Sequence, residues 1–150
     1  MIRQRQQRNA IVLVLVICLG GCVPGLKDVH TKPVPLDARL VAKIGLPVYP
    51  NASPQPMALQ MHMTVSTTTS DATSAQYLAG DELARVEAWY QTKMPKGSEV
   101  THLHLGVNGI AEFQVASGTT IRKVQLTGVA GKTQIQLMVM RLQAPSPSPT

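Results

Sequence analysis

His102 and His104 lie two residues apart, the spacing that puts two imidazoles on one face of a strand. Two imidazoles and one carboxylate can hold zinc or copper and leave a further position for water. The hairpin expected after His104 brings Glu112 opposite it, so His102, His104 and Glu112 form the candidate ligand set. Met61-His62-Met63 offers softer donors that would suit copper. On a strand, however, His62 points away from both methionines, and the three cannot converge on one ion. Those methionines are expected in the core. Exposed strand decoration is the simpler reading of the His102/His104 pair, so metal binding is the alternative and not the leading expectation.

Other chemistry finds less support. Gly131-Lys132-Thr133 resembles the end of a phosphate loop, but Leu126 stands where the motif needs its first glycine. The residues after it alternate as a strand, where the motif requires a helix, so a hairpin turn is expected. The chain holds no Gly-x-Ser-x-Gly elbow, Ser-x-x-Lys pair, His-Glu-x-x-His helix or calcium loop. Asp81, Glu82 and Glu87 cluster on one short segment and read as the solvated start of a helix, favoured by its dipole. The sequence therefore nominates no catalytic residue and no cofactor, and a non-enzymatic role is expected.

The elements that must position these residues follow from periodicity. Met57, Leu59, Met61, Met63 and Val65 alternate with polar residues, predicting a strand over 57–65. Residues 66–74 are rich in serine and threonine and read as a polar loop. Leu83, Val86 and Tyr90 fall at i, i+3 and i+7, predicting a helix over about 81–93, capped by Asp81 and stopped by Pro95 and Gly97. Strands are expected near 100–106, 110–116, 120–127 and 133–142, punctuated by Asn108-Gly109, Ser117-Gly118 and 128–132. The pattern is β-α-β-β-β-β, a single small α+β domain in which one helix covers one face of an antiparallel sheet. A three-residue loop Val107-Asn108-Gly109, with Gly109 left-handed, would pair Gly106 with Ile110. Leu105 would then face Ala111, Leu103 would face Phe113, and His104 would meet Glu112 on the outside.

Proline marks the expected domain edges. Seven of the eleven prolines lie between Pro24 and Pro56, and three fall at Pro145, Pro147 and Pro149. Residues 22–44 accordingly read as a tether, 45–143 as the folded domain and 144–150 as a disordered tail.

Arg3, Arg5 and Arg8 precede an uncharged run over 10–19 and the small residues Gly20-Gly21, which together form an export signal. Ten apolar residues reach only about 15 Å as a helix, half the thickness of a bilayer core. Leu19-Gly20-Gly21-Cys22 closely resembles the lipobox of bacterial lipoproteins. The resemblance implies removal of residues 1–21, a diacylglycerol on Cys22 and acylation of the new amine, hence anchoring to the membrane through acyl chains. Val23, in place of an aspartate, implies the outer membrane, facing the periplasm. Such processing removes Cys18 and consumes Cys22, which excludes thiolate chemistry and disulfides.

It also changes the meaning of the charge. Fourteen basic and eight acidic residues give +6, and loss of three arginines with the signal leaves +3. The remaining cations are scattered and the aromatics few, so no nucleic-acid partner is expected. A second resemblance concerns Leu46-Pro47-Val48-Tyr49-Pro50-Asn51-Ala52 and Trp89-Tyr90-Gln91-Thr92-Lys93-Met94-Pro95. These look like the L-P-x-Y-P-x-A and F/W-Y-x-x-x-L/M-P motifs of small uncharacterised bacterial envelope proteins. That resemblance covers about 46–142 and implies a fold type, not an activity. Physically, Tyr49 and Tyr90 are expected to anchor the end of the tether and the helix onto the sheet. The leading expectation is an envelope lipoprotein that binds or supports another envelope protein. The alternative is a metal- or small-ligand-binding lipoprotein using His102, His104 and Glu112.

Overall fold

Alternating apolar residues in the second half of the chain build the long ladders of an antiparallel sheet. The computed structural model describes residues 26–65, 68–106 and 108–143. In chain order the elements are β1 (Leu26–Pro35), α1 (Ala38–Ile44), β2 (Ala52–Pro54), β3 (Met57–Val65), β4 (Thr68–Ala79), α2 (Leu83–Lys93), β5 (Glu99–Leu105), β6 (Asn108–Ser117), β7 (Thr120–Val129) and β8 (Lys132–Gln143). The sheet order is β1-β3-β4-β8-β7-β6-β5, with the short β2 pairing β4 off that path. The domain is thus dominated by an eight-stranded antiparallel sheet and carries two helices, where the sequence predicted fewer strands and one helix.

Both helices lie on one side. Leu40 and Ile44 of α1 and Leu83, Val86 and Tyr90 of α2 close over Ala75, Tyr77, Phe113, Val124, Ile135 and Leu137. The Leu83/Val86/Tyr90 stripe is buried as its spacing predicts. Tyr49, Trp89, Tyr90 and Phe113 form a chain of rings with centroids 5.4, 4.8 and 5.9 Å apart in turn. Tyr90 Oη donates to the Pro47 carbonyl at 3.0 Å, and Tyr49 Oη donates to Asp81 Oδ2 at 2.8 Å. The two tyrosines therefore fasten the segment after α1 to the helix–sheet core, as expected from the sequence.

Several expectations fail, each for a physical reason. The tether expected over 22–44 is, from Leu26 onward, β1 and α1. β1 is an edge strand, and its ladder with β3 runs unbroken through Pro33↔Leu59 and Pro35↔Met57. Prolines two residues apart lose donors on the same side of a strand, and an edge strand, as β1 is among the described residues, tolerates that loss on its outer side. The polar loop expected over 66–74 is, from Thr68, part of β4, which is bonded to β3 and β8 on its two flanks. Threonine suits a pleated strand as well as a loop, and the neighbouring ladders decide. The helix begins at Leu83, and Asp81 does not cap it; that carboxylate instead receives Tyr49 and Arg85.

Met61 and Met63 are half-buried and stand outside the helix-covered core. Ala58, on the opposite parity of β3, is the residue that enters it. The alternation marked a strand correctly but did not say which face the helices cover. The turn expected at Gly131-Lys132 is present, with Val129 paired to Lys132 around Ala130 (φ 51°) and Gly131 (φ 74°). The signal over 1–21, Cys22 and the tail over 144–150 lie outside the described residues.

Candidate metal centre

One carboxylate interrupts the apolar stripe of α2. Glu87 stands four residues after Leu83 and three before Tyr90, so the helix that buries those two must bury Glu87 as well. Its side chain is 3% exposed. An unpaired carboxylate in such a place would cost several kcal/mol, on the order of the desolvation penalty for a buried ion, so partners are required.

β5 supplies them. Its register differs from the expected one: Leu105 pairs with Asn108 around Gly106 (φ 65°), and Leu103 pairs with Ile110. Neither Leu105–Ala111, Leu103–Phe113 nor His104–Glu112 pairs form, and the Val107 end of the expected loop falls outside the described residues. Instead His102 stands opposite Ala111 and His104 opposite Gly109, on the side that α2 covers. Leu103 and Leu105 turn outward and are exposed. Gly109 permits this register. A Cβ there would come 2.4 Å from the Leu103 carbonyl oxygen and 2.8 Å from a Leu83 methyl carbon. The glycine serves a close approach of β6 to β5 and α2, not a turn.

The consequence for the expected ligand set is direct. His102 and His104 do come together, their rings stacked with centroids 4.4 Å apart and planes 14° from parallel. Glu112 does not join them. It pairs with Thr101 on the opposite face and makes an ion pair with Lys123 at 2.9 Å. Glu87 takes its place. Glu87 Oε1 accepts from His102 Nδ1, and Glu87 Oε2 accepts from His104 Nε2 at 2.6 Å. An ionised carboxylate only accepts, so both facing nitrogens carry protons, and the other nitrogen of each ring is left for other partners. Glu99 Oε1 lies 3.5 Å from His102 Nδ1, and Glu99 is itself held by Gln91 Nε2 at 3.2 Å.

Electrostatics follow the contacts. Burial raises the Glu87 pKa, but hydrogen bonding with Glu99 and both imidazoles outweighs it, and the net displacement is downward from the usual 4.5. The hydrogen bond and charge of Glu87 raise His102 above the ordinary 6.5, against a smaller opposing effect of desolvation. The cluster thus favours an ionised acid beside a readily protonated imidazole.

The same residue types at this spacing could hold a cation. One ligand atom from each of Glu87, His102 and His104 lies within 4.8 Å of the others. Ligands about 2.1 Å from a tetrahedral zinc stand roughly 3.4 Å apart, so the wider spacings would have to shrink for the set to close on an ion. Binding would replace the two protons that now bridge to the carboxylate, either by release or by transfer to the outer ring nitrogens. Sequence reasoning found the histidines and missed Glu87. The available signal was an acid inside an apolar helical stripe.

No helix among the described residues is long and apolar enough to cross a membrane. Comparison with protein-family models, with curated proteins and with solved structures finds no match to this chain.

Proposed function

We propose that the chain is an acylated envelope protein, anchored through Cys22, whose domain binds one divalent transition-metal ion through Glu87, His102 and His104. The observation that carries this reading is the buried Glu87 carboxylate with an imidazole on each oxygen. Two imidazoles and a carboxylate suit zinc or copper(II) and leave a coordination position open to water or a transferred ligand. The reading assigns no reaction and no organic cofactor. Its address rests on the lipobox resemblance and, through Val23, is the outer membrane facing the periplasm.

Calorimetry on the full chain, free of any histidine tag, tests the metal site. One zinc or copper ion should bind per chain, and both Glu87→Gln and His104→Ala should reduce the affinity at least 100-fold while circular dichroism stays native. Absence of uptake, or uptake unchanged in these variants, would overturn the reading. Labelled palmitate should enter the wild-type chain in cells and not the Cys22→Ala variant; equal labelling would refute the anchor.

A second reading, an adaptor for another envelope protein, draws on β5. This strand is a sheet edge with Val100, Leu103 and Leu105 exposed beside Ile110 of β6. Such an edge can receive an added strand from a partner. Cross-linking from intact cells should then recover one specific protein, and Leu103→Lys should abolish its recovery.

A further inference from the structure

Next to α1 the helix-side face of the sheet changes character, from apolar to charged. His30, His62, Asp71 and Arg141 stand directly opposite one another across β1, β3, β4 and β8. Directly paired residues share a side of the sheet, so the four form one row. The adjacent row contains Lys32, Thr73 and Val139, and Lys43 reaches over it from the last turn of α1. Together they line a groove of about 300 Å³ whose floor, Thr73 and Val139, is buried.

The charges in this groove do not balance. Among the described side chains that line it, Lys32, Lys43 and Arg141 face a single carboxylate. That carboxylate, Asp71, already accepts from His62 Nδ1 at 2.7 Å and from Gln143 Nε2 at 2.7 Å. Among the described side chains, neither lysine nor Arg141 forms an ion pair. Hydrogen bonding from His62 lowers the Asp71 pKa against a smaller effect of burial, and Lys43 lowers it further, which places the Lys43 charge within range of the row. Among the described side chains the groove therefore holds three cations outside any ion pair and two imidazoles around a concave floor, at the small end of the volumes that accept ligands.

We infer that this groove binds a phosphate group, with Arg141 offering its planar fork and Lys32 and Lys43 acting as point charges. A doubly charged oxyanion matches the excess of cations better than a single carboxylate does. The phosphate can belong to a soluble phosphate or to a lipid headgroup. His30 follows Cys22 by eight residues, so the chain between them spans at most about 28 Å, and the groove stays close to any membrane that holds Cys22. The lipid source rests on the proposed anchor; the phosphate chemistry stands without it and without the metal centre.

The test uses the full chain carrying Cys22→Ser, so that acyl chains do not dominate partitioning. It is titrated with inorganic phosphate by calorimetry. In parallel it is sedimented with phosphatidylcholine vesicles, with or without phosphatidylglycerol. Each cation removed near an anionic surface should weaken binding roughly fivefold, so Lys32→Gln, Lys43→Gln and Arg141→Gln together should weaken it about 100-fold. Arg85→Gln removes the same charge from the exposed face of α2 and should change little. Saturable phosphate binding lost in the triple variant supports the inference with a soluble ligand. Preference for the anionic vesicles lost in the triple variant supports it with a headgroup. Absence of both, or binding that the triple variant keeps or that Arg85→Gln weakens equally, overturns it. Native circular dichroism of the triple variant separates loss of the groove from loss of the fold.

Discussion

Two histidine–carboxylate contacts occupy opposite ends of the same sheet face, and they differ chiefly in burial. Glu87 is 3% exposed and holds two imidazoles, whereas Asp71 is 49% exposed and holds one, His62, itself 47% exposed. The first is assembled between a helix and a strand. The second is a cross-strand pair on adjacent strands, His62 opposite Asp71. An ion pair open to water gains little, because solvent screens it and side-chain entropy opposes it. A buried carboxylate instead depends on its partners, since losing them leaves an unpaired charge in a poor solvent. The same chemistry is a dependent site at one end of the face and a surface contact at the other.

The contrast breaks most severely at Gly109. The Glu87 site requires β6 to approach β5 and α2 more closely than any side chain permits, and the His62–Asp71 pair has no such requirement. Gly109→Ala forces a Cβ against backbone, 2.4 Å from the Leu103 carbonyl oxygen. Overpacking of this kind should cost about 3 kcal/mol in urea unfolding and abolish metal uptake, while the β3–β4 ladder keeps its amide-exchange protection. Retained stability and uptake in this variant would refute the close-approach argument.

Glu87→Ala comes next. It removes the shared acceptor from two imidazoles that are partly reachable by water, so the loss should be about 2 kcal/mol, near the upper cost of an unmade hydrogen-bonded pair. Metal uptake should vanish with it. A loss below about 0.5 kcal/mol would mean that the imidazoles are satisfied by solvent and that burial of Glu87 has little consequence.

A pH series sharpens the comparison further. The folded-state pKa of Glu87 lies below its ordinary 4.5, so its contribution is present above 4.5 and is lost as pH falls through the folded value. The folded-state pKa of His102 lies above its ordinary 6.5, so its contribution is complete below 6.5 and is lost as pH rises through the folded value. The stability difference between wild type and Glu87→Gln should therefore peak between about 4.5 and 6.5 and shrink on both sides. Metal affinity should run the other way at low pH, weakening as His102 is protonated. A stability difference that stays level as pH is taken well below 4.5 and well above 6.5 would contradict both displacements.

How far the sequence revealed this arrangement depends on which physical level decided each part. Periodicity placed β3, α2 and the last four strands well, because local alternation and helical spacing are written in consecutive residues. It did not reveal β1 or most of β4. Pro33 and Pro35 disfavour a ladder interior but not an edge, and a threonine-rich run becomes a strand only because β3 and β8 flank it. The site divided in the same way. His102-x-His104 fixes a shared face by spacing alone. The third ligand depended on the β5–β6 register, and a shift of three in the paired positions moved Glu112 to the far side and left Glu87 facing the histidines. That register brings β6 close enough to β5 and to Leu83 of another element that only glycine fits at 109, a tertiary fit that no local pattern encodes.

The smallest expected effect is also the strictest control. Asp71→Ala removes an acceptor that is half in water, and its contribution to stability should be within about 0.5 kcal/mol. High salt should shrink even that, since the pair lies within reach of counterions, whereas the Glu87 contribution should persist. The same substitution deletes the carboxylate that, among the described side chains lining the groove, opposes Lys32, Lys43 and Arg141. Phosphate affinity should therefore rise while fold stability barely changes, so the two readouts separate. A stability loss as large as that of Glu87→Ala would show that exposure is not what distinguishes the two contacts. A fall in phosphate affinity would show that Asp71 orients ligand groups and does not merely reduce the positive charge around them.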